Sequence, residues 1–220
     1  MSVKVLIERR TEDFIKKYPE FRKEKINKQF LFFTVFSLSK DSRISYEDIL
    51  DGIVDGSEDY GIDGIFVFSS GQLIDEEEEE LSTQITKEDK VKIQLLQVTR
   101  DPGFSETVLL KLKNGIEKTF DLENKIKGNE NFSRKVRLIR NVWVHCFDLG
   151  NTRNIEVELI YVSLSTTEKI AKKIKILGED IYKYLKKQEL RNTTIKYIGI
   201  PTLYKIITAD SYEKEIVFKE

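Results

Sequence analysis

The sequence predicts an α/β fold, a central mixed sheet flanked by helices, on three observations. Apolar runs of strand length at 65–68, 91–99, 155–164 and 194–200 alternate with longer segments of helical periodicity. After two opening strands the order becomes strand, helix, strand, which builds a parallel pair joined by a right-handed crossover. The 220 residues, 40% of them apolar with 13 Phe, are enough to bury a sizeable core in a single domain spanning 1–220.

Charge and cysteine content narrow the function classes. With 37 basic and 38 acidic residues the net charge is −1, so contact with nucleic acid needs a local basic face rather than a global field. The lone Cys146 excludes an intramolecular disulfide and a cysteine-based zinc knuckle, and it fits a reducing compartment. No run approaches the ~20 apolar residues of a membrane span. The opening ten residues also meet charge too soon for a secretory signal, so a cytoplasmic protein without membrane contact is expected.

In chain order, Thr11 can cap a helix whose first turn carries Glu12 and Asp13, and Pro19 marks a boundary. From Glu20 to Leu38 the pattern is apolar nearly all round, which predicts a helix buried on most faces. Ser45-Tyr-Glu-Asp48 matches a capping box, followed by a short helix with Ile49, Leu50, Ile53 and Val54 on its apolar face. These make a helical amino-terminal part, 1–54. Beyond the strand at 65–68, the segment 69–90 holds the acidic run Asp75 to Glu80, which resists packing and predicts a projecting insertion.

After the strand at 91–99, Asp101-Pro-Gly103 turns the chain, and Phe104, Val108, Leu112, Ile116 and Phe120 recur at helical spacing. A helix over roughly 131–147 carries Arg134, Lys135, Arg137 and Arg140 beside Trp143. It is the best candidate for a basic face, the alternative being the charged outer surface of a packed helix. A lysine-rich amphipathic helix over 167–187 and a short helix opened by Pro201 complete the pattern. His145 and Cys146 read as core packing rather than a nucleophile and its base.

The chemistry concentrates between Asp51 and Phe68, where a short helix gives way to a glycine-rich acidic turn and then to a strand. Gly52, Gly56, Gly61 and Gly64 permit the close approach that a bound ion or phosphate requires. The strand at 91–99 is expected beside the one at 65–68. Gln97 and Thr99 then share one face, within reach of Asp63 at the mouth of the preceding strand. A carboxylate and an amide oxygen can hold Mg²⁺, and Glu58 and Asp59 can add oxygens. An EF-hand is refused for Asp55 to Phe66, because Tyr60 stands where that loop needs Gly and Phe66 where it needs Glu.

The run Gly56-Ser-Glu-Asp-Tyr-Gly-Ile-Asp63-Gly-Ile-Phe-Val67, followed by Leu95-Leu-Gln97-Val-Thr99, resembles the D…QxK variant of the PD-(D/E)xK nuclease superfamily. It is most similar to the amino-terminal region of AIPR proteins, the abortive infection phage resistance family, where a "DGxxDGGIDGI" turn leads into a strand ending in "QxK". The later Thr166-Thr-Glu-Lys-Ile-Ala171 and Ile198-Gly-Ile-Pro-Thr-Leu203 also look like that family's continuation.

The resemblance implies a restriction-endonuclease-like core and Mg²⁺- or Mn²⁺-dependent cleavage of nucleic acid, DNA ahead of RNA, in defence against phage. It makes Asp63, Gln97 and Thr99 the catalytic positions, and Asp63, Gln97, Glu58 and Asp59 the candidate metal ligands. Arg100, Arg134, Arg137 and Arg140 are the candidate nucleic-acid contacts, with a homodimer as the candidate assembly. Thr99 stands where the family pattern has a lysine that stabilises developing charge. Lys92 lies ~16 Å from Gln97 with the wrong parity to replace it, and Arg100 should face the other way. The alternatives are a catalytically inactive nucleic-acid-binding module and a protein-interaction domain using the acidic insertion.

Overall fold

The computed structural model describes residues 2–39, 44–74, 81–167 and 169–209. The expected α/β architecture is present: a five-stranded mixed sheet lies between two helical layers. Its strands are β1 (Gly64–Ser69), β2 (Gln72–Leu73), β3 (Val91–Val98), β4 (Ile155–Val162) and β5 (Asn192–Ile198), in the spatial order β2-β1-β3-β4-β5. The β1 strand runs antiparallel to β2 and β3, while β3, β4 and β5 are mutually parallel. The central strands are covered on both sides, and β1 is accordingly buried along its whole length.

Period-two alternation sends side chains to two cores. On one face Ile65, Val67, Ile93, Leu95, Val157 and Leu159 pack beneath α5 (Glu106–Thr119), α6 (Glu130–Asp148) and α7 (Lys172–Lys187). On the other, Phe66, Phe68, Leu96, Ile160 and Val162 meet α1 (Val3–Lys17), α2 (Ile26–Ser39) and α8 (Ile200–Thr208). Each such aliphatic or aromatic side chain taken fully out of water stabilises the fold by about 1.5–3 kcal/mol.

Several boundaries differ from expectation. Helix α1 starts at Val3 under a Ser2 cap, and Thr11 sits buried within it, donating Oγ1–H to the Ile7 carbonyl at 3.0 Å. Ile7, Thr11 and Ile15 form one stripe at four-residue spacing, so burial of that stripe outweighs any capping role for Thr11. The segment expected to be helical from Glu20 is a 3₁₀ turn over Pro19–Lys23, and α2 begins only at Ile26. The helix expected from Thr167 begins at Lys172. The capping box that opens α3 (Tyr46–Asp51) forms as predicted: Ser45 Oγ accepts from Asp48 N, and Asp48 accepts from Ser45 N.

The expected insertion at 69–90 is held at both ends. Gln72–Leu73 pairs with β1, Ile74 and Ile85 are buried in the first core, and α4 (Leu81–Gln84) follows. The acidic run from Asp75 to Glu80 lies outside the described residues.

What positions the site is the entry to β1. Val54 N donates to Asp63 O at 3.0 Å, Ile65 N to Gly52 O at 2.8 Å, and Asp63 N to Leu96 O at 2.8 Å. These bonds pinch residues 55–62 into a closed loop at the carboxyl end of β3.

Candidate metal centre

The loop is strained where it turns. Glu58 (φ 62°), Tyr60 (φ 53°) and Gly61 (φ 77°) are left-handed, and for the two that are not glycine this costs on the order of 1 kcal/mol each. Asp59 offsets part of that cost, accepting from Gly61 N at 2.7 Å and Gly56 N at 3.1 Å. Asn129, the N-cap of α6, accepts from Phe132 N at 2.9 Å. Its Nδ2 donates outward to the loop carbonyls of Val54 at 3.0 Å and Ser57 at 3.2 Å. From the other side α5 presses on the loop at Gly115, where a Cβ would stand 2.8 Å from the Tyr60 carbonyl oxygen. Two helices therefore impose the strained shape.

The consequence is a convergence of carboxylates. Asp55, Asp59 and Asp63 each bring an oxygen to within 4.8 Å of the others. Asp63 is only 7% exposed, and its Oδ2 accepts from Val98 N at 2.6 Å and from Gln97 Nε2 at 2.8 Å. Burial pushes its pKa well above the usual carboxylate value. The Val98 N–H opposes that rise, and the charges of Asp55 and Asp59 add to it. Asp55 is also raised, by burial first and by Asp59 and Glu24, with Lys28 acting the other way. Like charges at this separation repel by about 3–4 kcal/mol per pair at an effective dielectric of 20. The donor set is oxygen only and charge-rich, so it could hold a metal ion, which would relieve the repulsion.

The residues expected at the site are distributed unevenly. Asp59 and Asp63 come together, and Asp55 joins them. Glu58 is exposed and left-handed and lies outside the cluster. Gln97 meets Asp63 through its amide N–H, so it orients the carboxylate. Thr99 continues the ladder, donating N–H to Val162 O at 3.0 Å and accepting from Asp101 N at 3.2 Å. Among the described residues no lysine or arginine hydrogen-bonds Asp63.

The cations weighed as replacements or as nucleic-acid contacts are mostly engaged elsewhere. Lys92 pairs with Glu158 at 2.7 Å and Arg100 with Glu8 of α1 at 3.1 Å. Arg134 and Lys135 join α6 to α3 through Asp51, at 2.5 and 2.7 Å. Arg140 donates to the carbonyls of Lys118, Thr119 and Asn124, closing the carboxyl end of α5. Arg137 is exposed, and Trp143 is buried. His145 Nε2 lies 3.2 Å from the Ile85 carbonyl oxygen, and burial pushes the Cys146 thiol up to about 11, so neither is poised as a nucleophile.

The acidic cluster opens into a cleft of about 580 Å³. It is lined by Asp55, Asp63 and Val98 together with Lys23, Glu24, Lys25, Asn27, Lys28 and Leu31. Sequence reasoning missed three contributors. Asp55 was legible, since Asp55, Asp59 and Asp63 recur at four-residue intervals in a glycine-rich stretch. Asn129 was legible only as a helix cap, and nothing local brings Lys23, Lys25 and Lys28 to the same cleft as Asp63.

Compared with known proteins, the chain matches no protein-family model, no curated protein and no solved structure. Among the described residues no helix is long and apolar enough to cross a membrane.

Proposed function

We propose that this chain is a divalent-metal-dependent nuclease, using Mg²⁺ or Mn²⁺ and acting on DNA ahead of RNA. The observation that carries the reading is the convergence of Asp55, Asp59 and Asp63, two of which line a cleft shared with three lysines. The likeness of the acidic turn and Gln97 to the AIPR pattern connects that chemistry to phage defence. When bound, the metal supplies Lewis acidity toward a phosphoryl oxygen and lowers the pKa of an attacking water. The chain's own residues prepare the place. Val98 N–H and Gln97 hold Asp63 in one orientation, the Asn129 clamp keeps Asp55 and Asp59 facing it, and Lys28 tempers the negative field at Asp55.

A second reading, a nucleic-acid-binding module without catalysis, is favoured by Thr99 and by the absence of a cation bonded to Asp63 among the described residues. Incubating the wild type and Asp63→Ala with single- and double-stranded DNA and RNA, with Mg²⁺ or Mn²⁺, separates the two. Metal-dependent cutting that the substitution abolishes is the expected outcome. Salt-sensitive binding without cutting of any substrate would leave the binding module.

A further inference from the structure

We infer that a nucleic-acid phosphate backbone is gripped by Lys23, Lys25 and Lys28, which line the cleft that holds Asp55 and Asp63, rather than by Arg134 and Arg140 of α6. The nuclease reading supplies the identity of the ligand, a phosphodiester chain, and the geometry supplies where it lies. The three lysines fall within six residues, from the end of the 3₁₀ turn to the first turn of α2, and all line the cleft that holds Asp55 and Asp63. Lys23 and Lys25 are exposed and have no ion-pair partner among the described residues. Lys28 is half-buried, 3.8 Å from Glu24 and 6.0 Å from the Phe32 ring centre, and its charge is felt at Asp55. Gln29 holds this segment in shape, its Nε2 donating to the carbonyls of Phe21 at 3.1 Å, Arg22 at 3.3 Å and Glu24 at 3.1 Å.

The cleft therefore carries both signs: Asp55 and Asp63, suited to a cation, and three ammonium groups, partly offset by Glu24, suited to phosphate oxygens. A chain of phosphodiesters satisfies both when one phosphate faces the carboxylates across a shared cation and its neighbours meet the lysines. On α6, by contrast, Arg134 holds Asp51 and Arg140 holds the end of α5, which makes both costly to redirect.

The test is fluorescence anisotropy of labelled single- and double-stranded oligonucleotides in EDTA, across KCl from ~50 to ~200 mM. It uses the wild type, the triple variant Lys23→Gln/Lys25→Gln/Lys28→Gln, and Arg137→Gln. Because each lost phosphate contact removes about 0.7–0.9 from the log–log salt slope, the triple variant should lower the slope by about 2–3 and weaken binding at least ~10-fold. Wild-type affinity and slope in the triple variant, above all if Arg137→Gln is weakened instead, would overturn the assignment. A parallel Mg²⁺ and Mn²⁺ cleavage assay keeps the two readings apart. Cutting by the wild type with undiminished binding by the triple variant sinks the lysine grip alone. Binding lost in the triple variant without cutting by the wild type supports the grip and sinks catalysis. No binding by the wild type sinks both.

Discussion

Gln97 and Asp63 face each other across the β1–β3 pair, with the glutamine Nε2 donating to the aspartate Oδ2 at 2.8 Å. With the Val98 N–H this leaves the other carboxylate oxygen unconstrained by them, in a setting that also contains Asp55 and Asp59. The fold thus buries a carboxyl group whose ionised form its own residues only partly compensate.

Asp63→Asn should therefore stabilise the metal-free protein. The folded pKa of Asp63 is raised, so its favourable contribution is fully present below the unfolded value near 3.8 and is lost as pH rises through the folded value. Asparagine keeps an oxygen for Val98 and Gln97 and removes the charge. Calorimetry in EDTA at pH 8 should give a higher Tm for the variant, by a stability gain of about 1–3 kcal/mol that shrinks toward pH 4. Added Mn²⁺ should raise the Tm of the wild type and not of the variant. A lower Tm for the variant at pH 8 would count against a frustrated charge.

Asn129→Ala removes both the α6 cap and the clamp on Val54 and Ser57. Loss of a cap costs about 0.5–2 kcal/mol, and two carbonyls lose a donor. Urea unfolding should show a loss of about 2–3 kcal/mol, with weaker Mn²⁺ binding by calorimetry. Asn129→Asp keeps the cap oxygen but not the donors, so it should recover part of the stability and little of the metal affinity. Equal recovery of both would show that the clamp does not shape the loop.

Glu158 predicts the acid limb. It is buried on β4; burial alone would raise its pKa, but hydrogen bonds from Lys196, from Lys92 at 2.7 Å and from Gln94 at 2.8 Å hold it down to about 2. A depressed folded value contributes stability that is complete above the ordinary 4.5 and lost as pH falls through about 2. The loss over that window should be on the order of 3 kcal/mol. Glu158→Gln should flatten the stability curve there; an unchanged acid limb would place the titration elsewhere.

Gly115→Ala tests the pressure of α5 on the loop. The new Cβ would stand 2.8 Å from a backbone oxygen, a contact that cannot relax by side-chain rotation alone. Overpacking of this kind costs about 1–3 kcal/mol, and a Tm unchanged despite alanine's better helix propensity would show a looser α5–loop contact than described.

Much of the fold was legible because its causes are local. The β1 and β3 runs, the Ser45–Asp48 capping box and the helical spacing of Leu112 and Ile116 depend on bonds and periodicities spanning a few residues. Strand parity likewise puts Gln97 and Thr99 on one face, whereas the pairing of Asp63 with Gln97 is set by the β1–β3 register across 34 positions. Thr11 was misplaced because a capping residue type and a residue on a buried stripe look alike until the stripe has a partner.

The sequence by itself determined four of the five strands, most helices and the acidic turn, since hydrogen bonding and side-chain alternation act over short range. Only the tertiary structure decided which charges meet. Asn129 reaches Val54 across 75 positions, Arg134 reaches Asp51 across 83, and the lysines at 23–28 reach a cleft closed by Asp63 and Val98. A charged side chain has no periodicity that names its partner. Its destination depends on how whole elements pack, and that packing is set by the two apolar cores rather than by the charges themselves.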